Sequence, residues 1–172
     1  MLRISFALFL GVFIAGCASN IVGTVPQTPD ELISIAKTGH MFTYSEKVIL
    51  NSPYKSVIAN LSEYSGKCLN LKMNYPGSFL HKQGPTSTTY KSSVKTEKDR
   101  ALFLSQHHYG SKEDPKMPAG GLYGVVAEIK PASSGKTTMD IYSIAGQTAI
   151  VSELNRWAAG NKENCPSFKQ SF

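Results

Sequence analysis

Residues 123–143 read YGVVAEIKPASSGKTTMDIYS, and this stretch decides the fold. In its first half every second residue up to Ile129 is apolar, which predicts a β-strand with one buried face. Residues 131–135 carry the Pro, Ser and Gly that are typical of a turn, and the alternation resumes at Met139. A turn this short joins antiparallel strands, so the stretch predicts a β-hairpin.

A helix is predicted directly after the hairpin. From Ala149 to Ala159 apolar residues recur at helical spacing, and Gly160 is placed to end the helix. An apolar stripe on a helix is buried only against another element, so we expect this helix to pack on the sheet. The stripe consists of Ile150, Val151, Leu154, Trp157 and Ala158.

The first half of the chain predicts helix, strand and helix, followed by more strands. Thr28 can cap a helix that has Pro29 in its first turn, and a strand is expected over residues 41–50. Ser52 is a candidate cap for a second helix, which Gly66 is expected to end. Further strands are predicted over residues 68–75, 86–95 and 100–106. The order predicts an α+β fold, in which an antiparallel sheet of five to six strands packs on a long C-terminal helix.

This order resembles the helix-grip, or START-like, arrangement. Residues 45–57, SEKVILNSPYKSV, are similar to its first strand and first helix, and the resemblance extends over residues 42–160. If the chain has a pocket, it is expected in the gap between the C-terminal helix and the sheet. The side chains that would line it are Tyr123, Val125, Met139, Ile141, Leu154 and Trp157. The alternative is that these side chains form the hydrophobic core.

The N-terminus has the pattern of a secretory signal. Arg3 precedes an apolar run of about a dozen residues, whereas a membrane-spanning helix needs roughly 20. The run ends in IAGC, residues 14–17, which resembles the bacterial lipobox. The resemblance implies cleavage before Cys17, attachment of a diacylglycerol to its sulfur and acylation of its amine. Ala18 after the cysteine resembles the signal for export to the outer membrane.

The chain therefore divides into a signal peptide over residues 1–16, a lipidated cysteine with a short tether over 17–28, and one α+β domain over 29–172 that faces the periplasm. A chain of 172 residues is long enough for one such domain. Cys68 and Cys165 remain in the domain, and an oxidising envelope favours a disulfide between them. Two separate thiols are the alternative.

Signatures of enzymes and metal sites are weak. PASSGKTT, residues 131–138, resembles the end of a phosphate-binding loop, but Lys130 stands where the first glycine is needed and a strand follows. His107 and His108 would point to opposite faces of a strand, and no HExxH spacing occurs. We therefore expect no catalytic residues, no metal and no cofactor.

The formal net charge is +6 at pH 7, without a dense block of Lys and Arg, so we expect no nucleic-acid partner. The sequence predicts a non-enzymatic structural or protein-interaction module, anchored to the membrane by acyl chains and in contact with an envelope protein. The alternative is a module that binds a lipid or another apolar ligand.

Overall fold

The computed structural model describes residues 25–75, 86–109, 117–161 and 165–166. Within them the chain forms three α-helices and six β-strands. The helices are α1 (Pro29–Lys37), α2 (Tyr54–Cys68) and α3 (Thr148–Ala158). The strands are β1 (Thr43–Leu50), β2 (Leu71–Tyr75), β3 (Thr86–Thr96), β4 (Ala101–Tyr109), β5 (Leu122–Pro131) and β6 (Thr137–Ile144). The predicted signal peptide and Cys17 lie outside the described residues.

The strands form one antiparallel sheet in the order β1-β6-β5-β4-β3-β2. β5 and β6 are the predicted hairpin, joined by a 3-10 turn at Ser133–Gly135. The predicted α+β class and the antiparallel sheet are therefore confirmed. β1 returns to pair with the outer side of β6, which makes β1 and β2 the two edges of the sheet.

Helices cover both faces of the sheet. On one face, α2 and α3 pack on the large core cluster, which includes Phe103, Ala127, Ile141 and Trp157. On the other face, α1 packs on a smaller cluster that contains Leu102, Leu104, Val126 and Tyr142. The central strands are consequently buried on both sides.

A long C-terminal helix is not confirmed, because α3 has only 11 residues whereas α2 has 15. Gly146 and Gly160 flank α3 with φ angles of 85° and 91°. Glycine adopts these left-handed conformations without the steric penalty of other residues, so both positions favour chain reversals over helix. The helix layer on this face is therefore shared between α2 and α3.

The ends of the first two helices differ in how well the sequence predicts them. Thr28 caps α1 as expected, since its Oγ1 accepts a hydrogen bond of 3.2 Å from the amide of Glu31. Ser52 does not cap α2, which begins after Pro53 without a side-chain cap. Gly66 does not end α2 either, because the helix continues to the buried Cys68.

The predicted disulfide between Cys68 and Cys165 is confirmed, with Cα atoms 5.1 Å apart. It joins the end of α2 to the chain beyond α3, across a sequence separation of 97 residues. Closing a loop of this length in the unfolded chain corresponds to about 4–5 kcal/mol in the chain-entropy model.

Arg100, just before β4, links α1 to the sheet. Its guanidinium donates to Glu97 (2.6 Å), to Glu128 (2.5 Å) and to Asp30 in α1 (3.2 Å). Burial by itself would raise the pKa of Glu128, but the hydrogen bond from Arg100 and the charge of Lys130 outweigh burial, and the pKa is lowered. Glu128 is therefore a buried carboxylate that depends on these two cations.

Replacing Arg100 should destabilise the fold strongly. Arg100→Met leaves the buried Glu128 with Lys130, at 3.4 Å, as its remaining cation, so we expect the free energy of unfolding to fall by about 3 kcal/mol. Urea unfolding followed by circular dichroism measures this change. Lys67→Met, which breaks an exposed pair with Glu63, is the control and should have little effect. Equal losses in the two variants would contradict the role of Arg100.

Candidate functional site

Exposed apolar side chains are concentrated on one edge of the sheet. Among the described residues five large apolar side chains are exposed, and four of them lie on β1 or directly before it. Their exposed fractions are 80% for Met41, 62% for Phe42, 49% for Tyr44 and 63% for Ile49. We call residues 41–49 the β1 edge. Tyr44 and Ile49 point to opposite faces of the sheet, so the exposed apolar side chains flank the strand on both sides, and an edge strand also presents unpaired backbone groups.

The direction of the backbone groups along β1 follows from its pairing with β6. The amide of Ala145 donates to the carbonyl of Phe42 at 2.8 Å, and the pairing continues in register to Leu50. Because hydrogen-bonded positions alternate in an antiparallel pair, even-numbered residues of β1 face β6 and odd-numbered residues face outward. After Thr43, the outward-facing residues of β1 are Ser45, Lys47 and Ile49.

A cleft of about 380 Å³ opens between the β1 edge and α3. Tyr44 and Glu46 line it from β1, and Thr148, Ser152 and Asn155 line it from α3. The other lining residues are Ser143, Ile144, Ala145, Gly146, Gln147 and Val151. The chain turns from β6 into α3 at Gly146, and that turn places the first half of α3 beside β1.

Glu46 is the one charged side chain among the described residues that line the cleft. Its carboxylate accepts a hydrogen bond of 2.9 Å from the hydroxyl of Tyr44 and a longer one, 3.4 Å, from Nδ2 of Asn155. The hydrogen bond to Glu46 raises the pKa of Tyr44. Since Nδ2 of Asn155 faces the carboxylate, Oδ1 points elsewhere, and it is buried without a hydrogen-bond partner among the described residues. The described lining of the cleft therefore carries one anionic side chain and no cationic one.

The six side chains predicted for an apolar pocket fall into two clusters. The cluster between the sheet and the α2/α3 layer contains five of them, fully buried: Val125, Met139, Ile141, Leu154 and Trp157. Tyr123 packs on the other face with the α1 cluster. The register between β4 and β5 shifts at Ser105/Gln106, which gives β5 one extra residue next to Gly124 and reverses the side on which Tyr123 lies.

The cleft residues were missed at the level of sequence, although two signals point to them. Phe42 and Tyr44 alternate on a predicted strand, which indicates a face that needs cover. Asn155 adjoins the apolar stripe of α3 as a polar residue. Neither signal shows that β1 and α3 are neighbours, because this depends on the order of strands in the sheet.

β4 carries a second unusual polar group. His107 is only 2% exposed, and its Nδ1, like the nearby Oγ of Ser105, has no hydrogen-bond partner among the described residues. Gly124 lies against the ring, where a Cβ atom would come within 3.0 Å of Nδ1. Burial and the neighbouring His108 lower the pKa of His107. The described residues contain no group of three or more metal-ligating side chains placed to hold an ion.

Acid should destabilise the protein through His107. Its pKa in the folded state lies below the ordinary value of 6.5, so the unfolded chain binds the proton more readily. The corresponding stability is fully present above pH 6.5 and is lost as the pH falls below it. Urea unfolding between pH 7.5 and 5 should show this decrease in the wild type and in the His40→Gln control, and a smaller one in His107→Gln. Parallel pH profiles for all three proteins would contradict the assignment.

Comparison with known proteins does not assign a family. No family model and no curated protein matches the chain. The solved structure of an uncharacterised protein from Rhizobium leguminosarum is similar over 69% of this chain and 92% of that one, with 10% identity and a TM-score of 0.28. A similarity this low carries no argument about function. Within the described ranges, no helix has the length and apolar character needed to cross a membrane.

Proposed function

We propose that this protein is a non-enzymatic protein-interaction module of the bacterial cell envelope, anchored through Cys17, and that the β1 edge is its docking surface. The observation that carries the proposal is the clustering of exposed apolar side chains on an edge strand that lies beside a cleft. The IAGC motif at residues 14–17 supports the lipid anchor, and Ala18 after it supports an outer-membrane location.

The opposite edge of the sheet shows what a protected edge looks like. β2 is five residues long, and its exposed side chains include Lys72 and Asn74. Charged side chains and short length are the usual means of keeping an edge from pairing with other chains. β1 has eight residues and, besides Ser45 and Lys47, exposes Tyr44 and Ile49, with Phe42 just before it. This contrast favours β1 as the surface that meets a partner.

The anchor limits which partners the domain can reach. Residues 18–24 separate the cysteine proposed to carry the lipid from Val25, the first described residue. At no more than about 3.5 Å per residue, this segment spans at most about 30 Å. The domain therefore stays close to its membrane, and another envelope protein is the partner that fits.

The alternative, a helix-grip carrier of a lipid or another apolar ligand, has weaker support. The cleft volume of about 380 Å³ lies within the range of small-molecule pockets. However, its lining includes Glu46, Gln147 and Asn155, which suit a polar ligand. The space between α3 and the centre of the sheet is occupied by Trp157 and its core neighbours.

In-cell photo-cross-linking tests the docking surface. With p-benzoylphenylalanine in place of Phe42 or Ile49, we expect a discrete adduct with an envelope protein, because these side chains project from the β1 edge. Tyr109 is the control, since it is 67% exposed but lies at the end of β4. The proposal would be overturned if position 109 gave as much adduct as positions 42 and 49, or if neither 42 nor 49 gave an adduct.

Labelling with radioactive palmitate tests the anchor separately. Cys17→Ser removes the sulfur that would carry the diacylglycerol, so we expect loss of the label and of membrane retention. Cys68→Ser is the matched control and should stay labelled, because this residue lies in the folded domain. Continued labelling of Cys17→Ser would disprove the lipid anchor.

A further inference from the structure

We infer that the β1 edge and the cleft bind an extended polypeptide segment as an added strand, with a Lys or Arg side chain of that segment against Glu46. This inference rests on the proposed function and specifies the chemistry of the partner. It joins two features that lie side by side: outward backbone groups on β1 and unmatched acceptors in the cleft.

The acceptors in the cleft call for a ligand with several N–H donors. The Glu46 carboxylate receives one hydrogen bond of 2.9 Å from Tyr44 and long contacts from Asn155, although a carboxylate can accept about four. A Lys ammonium carries three donors and an Arg guanidinium five, so one basic side chain can supply the hydrogen bonds that the Glu46 carboxylate can still accept.

The aromatic side chain at the mouth of the cleft fits the same ligand. Tyr44 is half-exposed and lies next to Glu46, to which its hydroxyl is hydrogen-bonded. A cation held by the carboxylate would lie near the ring, and aromatic faces attract ammonium and guanidinium groups. The described cleft lining contains no Lys or Arg that would compete for this position.

Strand addition places the basic side chain at the correct position. A segment that pairs with β1 would hydrogen-bond to the outward-facing Ser45, Lys47 and Ile49. Tyr44, Glu46 and Val48 would then occupy the non-hydrogen-bonded pairs, in which side chains on facing strands approach most closely. The residue opposite Glu46 points to the cleft side of the sheet. The expected segment therefore has Lys or Arg at the centre and apolar residues two positions away on each side.

A second copy of this chain is a poorer occupant of the same edge. The two antiparallel registers that overlap β1 most fully with itself place Glu46 opposite Glu46 or Lys47 opposite Lys47. Like charges directly opposite each other destabilise a strand pair. β1 of a second copy would also bring no basic side chain to the cleft side, because Lys47 lies on the other face of the sheet from Glu46.

Selection from a phage library of random nonapeptides tests the inference on the full chain in mild detergent. We expect enrichment of peptides with a central Lys or Arg flanked at two positions by apolar residues. A fluorescein-labelled peptide of this pattern should bind about tenfold more weakly to Glu46→Gln than to the wild type. Exchange of its basic residue for norleucine should cause a similar loss.

Lys47→Pro tests strand addition by removing an outward-facing amide. The β1–β6 ladder does not use this amide, so an edge proline leaves it intact. Lys47→Ala keeps the amide and is the matched control. We expect peptide binding to be lost in the proline variant and kept in the alanine variant. A peptide N-methylated at alternate residues makes the same test on the wild type, should Lys47→Pro fail to fold.

Three results would overturn part or all of the inference. Enriched peptides that require the Lys47 amide but show no basic preference would remove the cation site and leave the interaction module standing. Binding of N-acetyl-lysine amide as tight as that of the peptide would indicate a site for small cations rather than for a strand. No enriched peptide, or binding that is insensitive to Lys47→Pro, would exclude strand addition, while the cross-linking experiment would still decide the docking surface.

Discussion

The central strands of this sheet are apolar on both faces, and the rest of the structure depends on covering both. β4 and β5 contain runs in which successive residues are all buried. One helix layer cannot satisfy such strands, so α2 and α3 cover one face and α1 covers the other. The attachment of α1 is partly polar, because Arg100 joins Asp30 of this helix to the buried Glu128. The apolar cluster under α1 is small, and the ion network of Arg100 adds a second attachment of this helix to the sheet.

The width of the sheet explains why a cleft lies at its edge. Six strands at about 4.8 Å spacing span about 24 Å, whereas two helices side by side cover about 20 Å. α2 is fixed toward the β3 side, where the hydroxyl of Ser92 donates to the carbonyl of Ser65. The helix layer therefore leaves the opposite edge, β1, incompletely covered. The hydrogen bonds from Asn155 to Glu46 link α3 to β1 across this gap.

The sequence predicts the elements of this fold better than their arrangement. Alternation over residues 123–143 and helical spacing over 149–159 depend on neighbours along the chain, so the hairpin and α3 are predicted nearly to the residue. The cysteine pair was predicted from the compartment that the lipobox implies. The predicted end of α2 at Gly66 was wrong. Glycine by itself favours a helix end, but the buried contacts and the disulfide of Cys68 extend the helix past this residue.

The candidate site could not be predicted, because it depends on which strands are neighbours. Nothing local indicates that β1 pairs with β6, and only this pairing brings Tyr44 and Glu46 beside Asn155. The face of the sheet to which Tyr123 points could not be predicted for a similar reason. The bulge next to Gly124 appears only when β4 and β5 are aligned. Patterns of period two or 3.6 assume regular elements, and a single extra residue reverses every side chain beyond it.

The proposed membrane tether would change what the proposed docking edge has to achieve. An added strand of a few residues gains backbone hydrogen bonds and one charged contact, and it must also be ordered on binding, so its affinity in solution is modest. A domain attached to the membrane by a segment of at most about 30 Å would meet partners in the same envelope at a high effective concentration, and weak contacts would then suffice. The charged Glu46 and Lys47 in this edge fit this regime. They disfavour pairing between identical chains, whereas a basic segment of a different protein meets the carboxylate of Glu46 with a complementary charge.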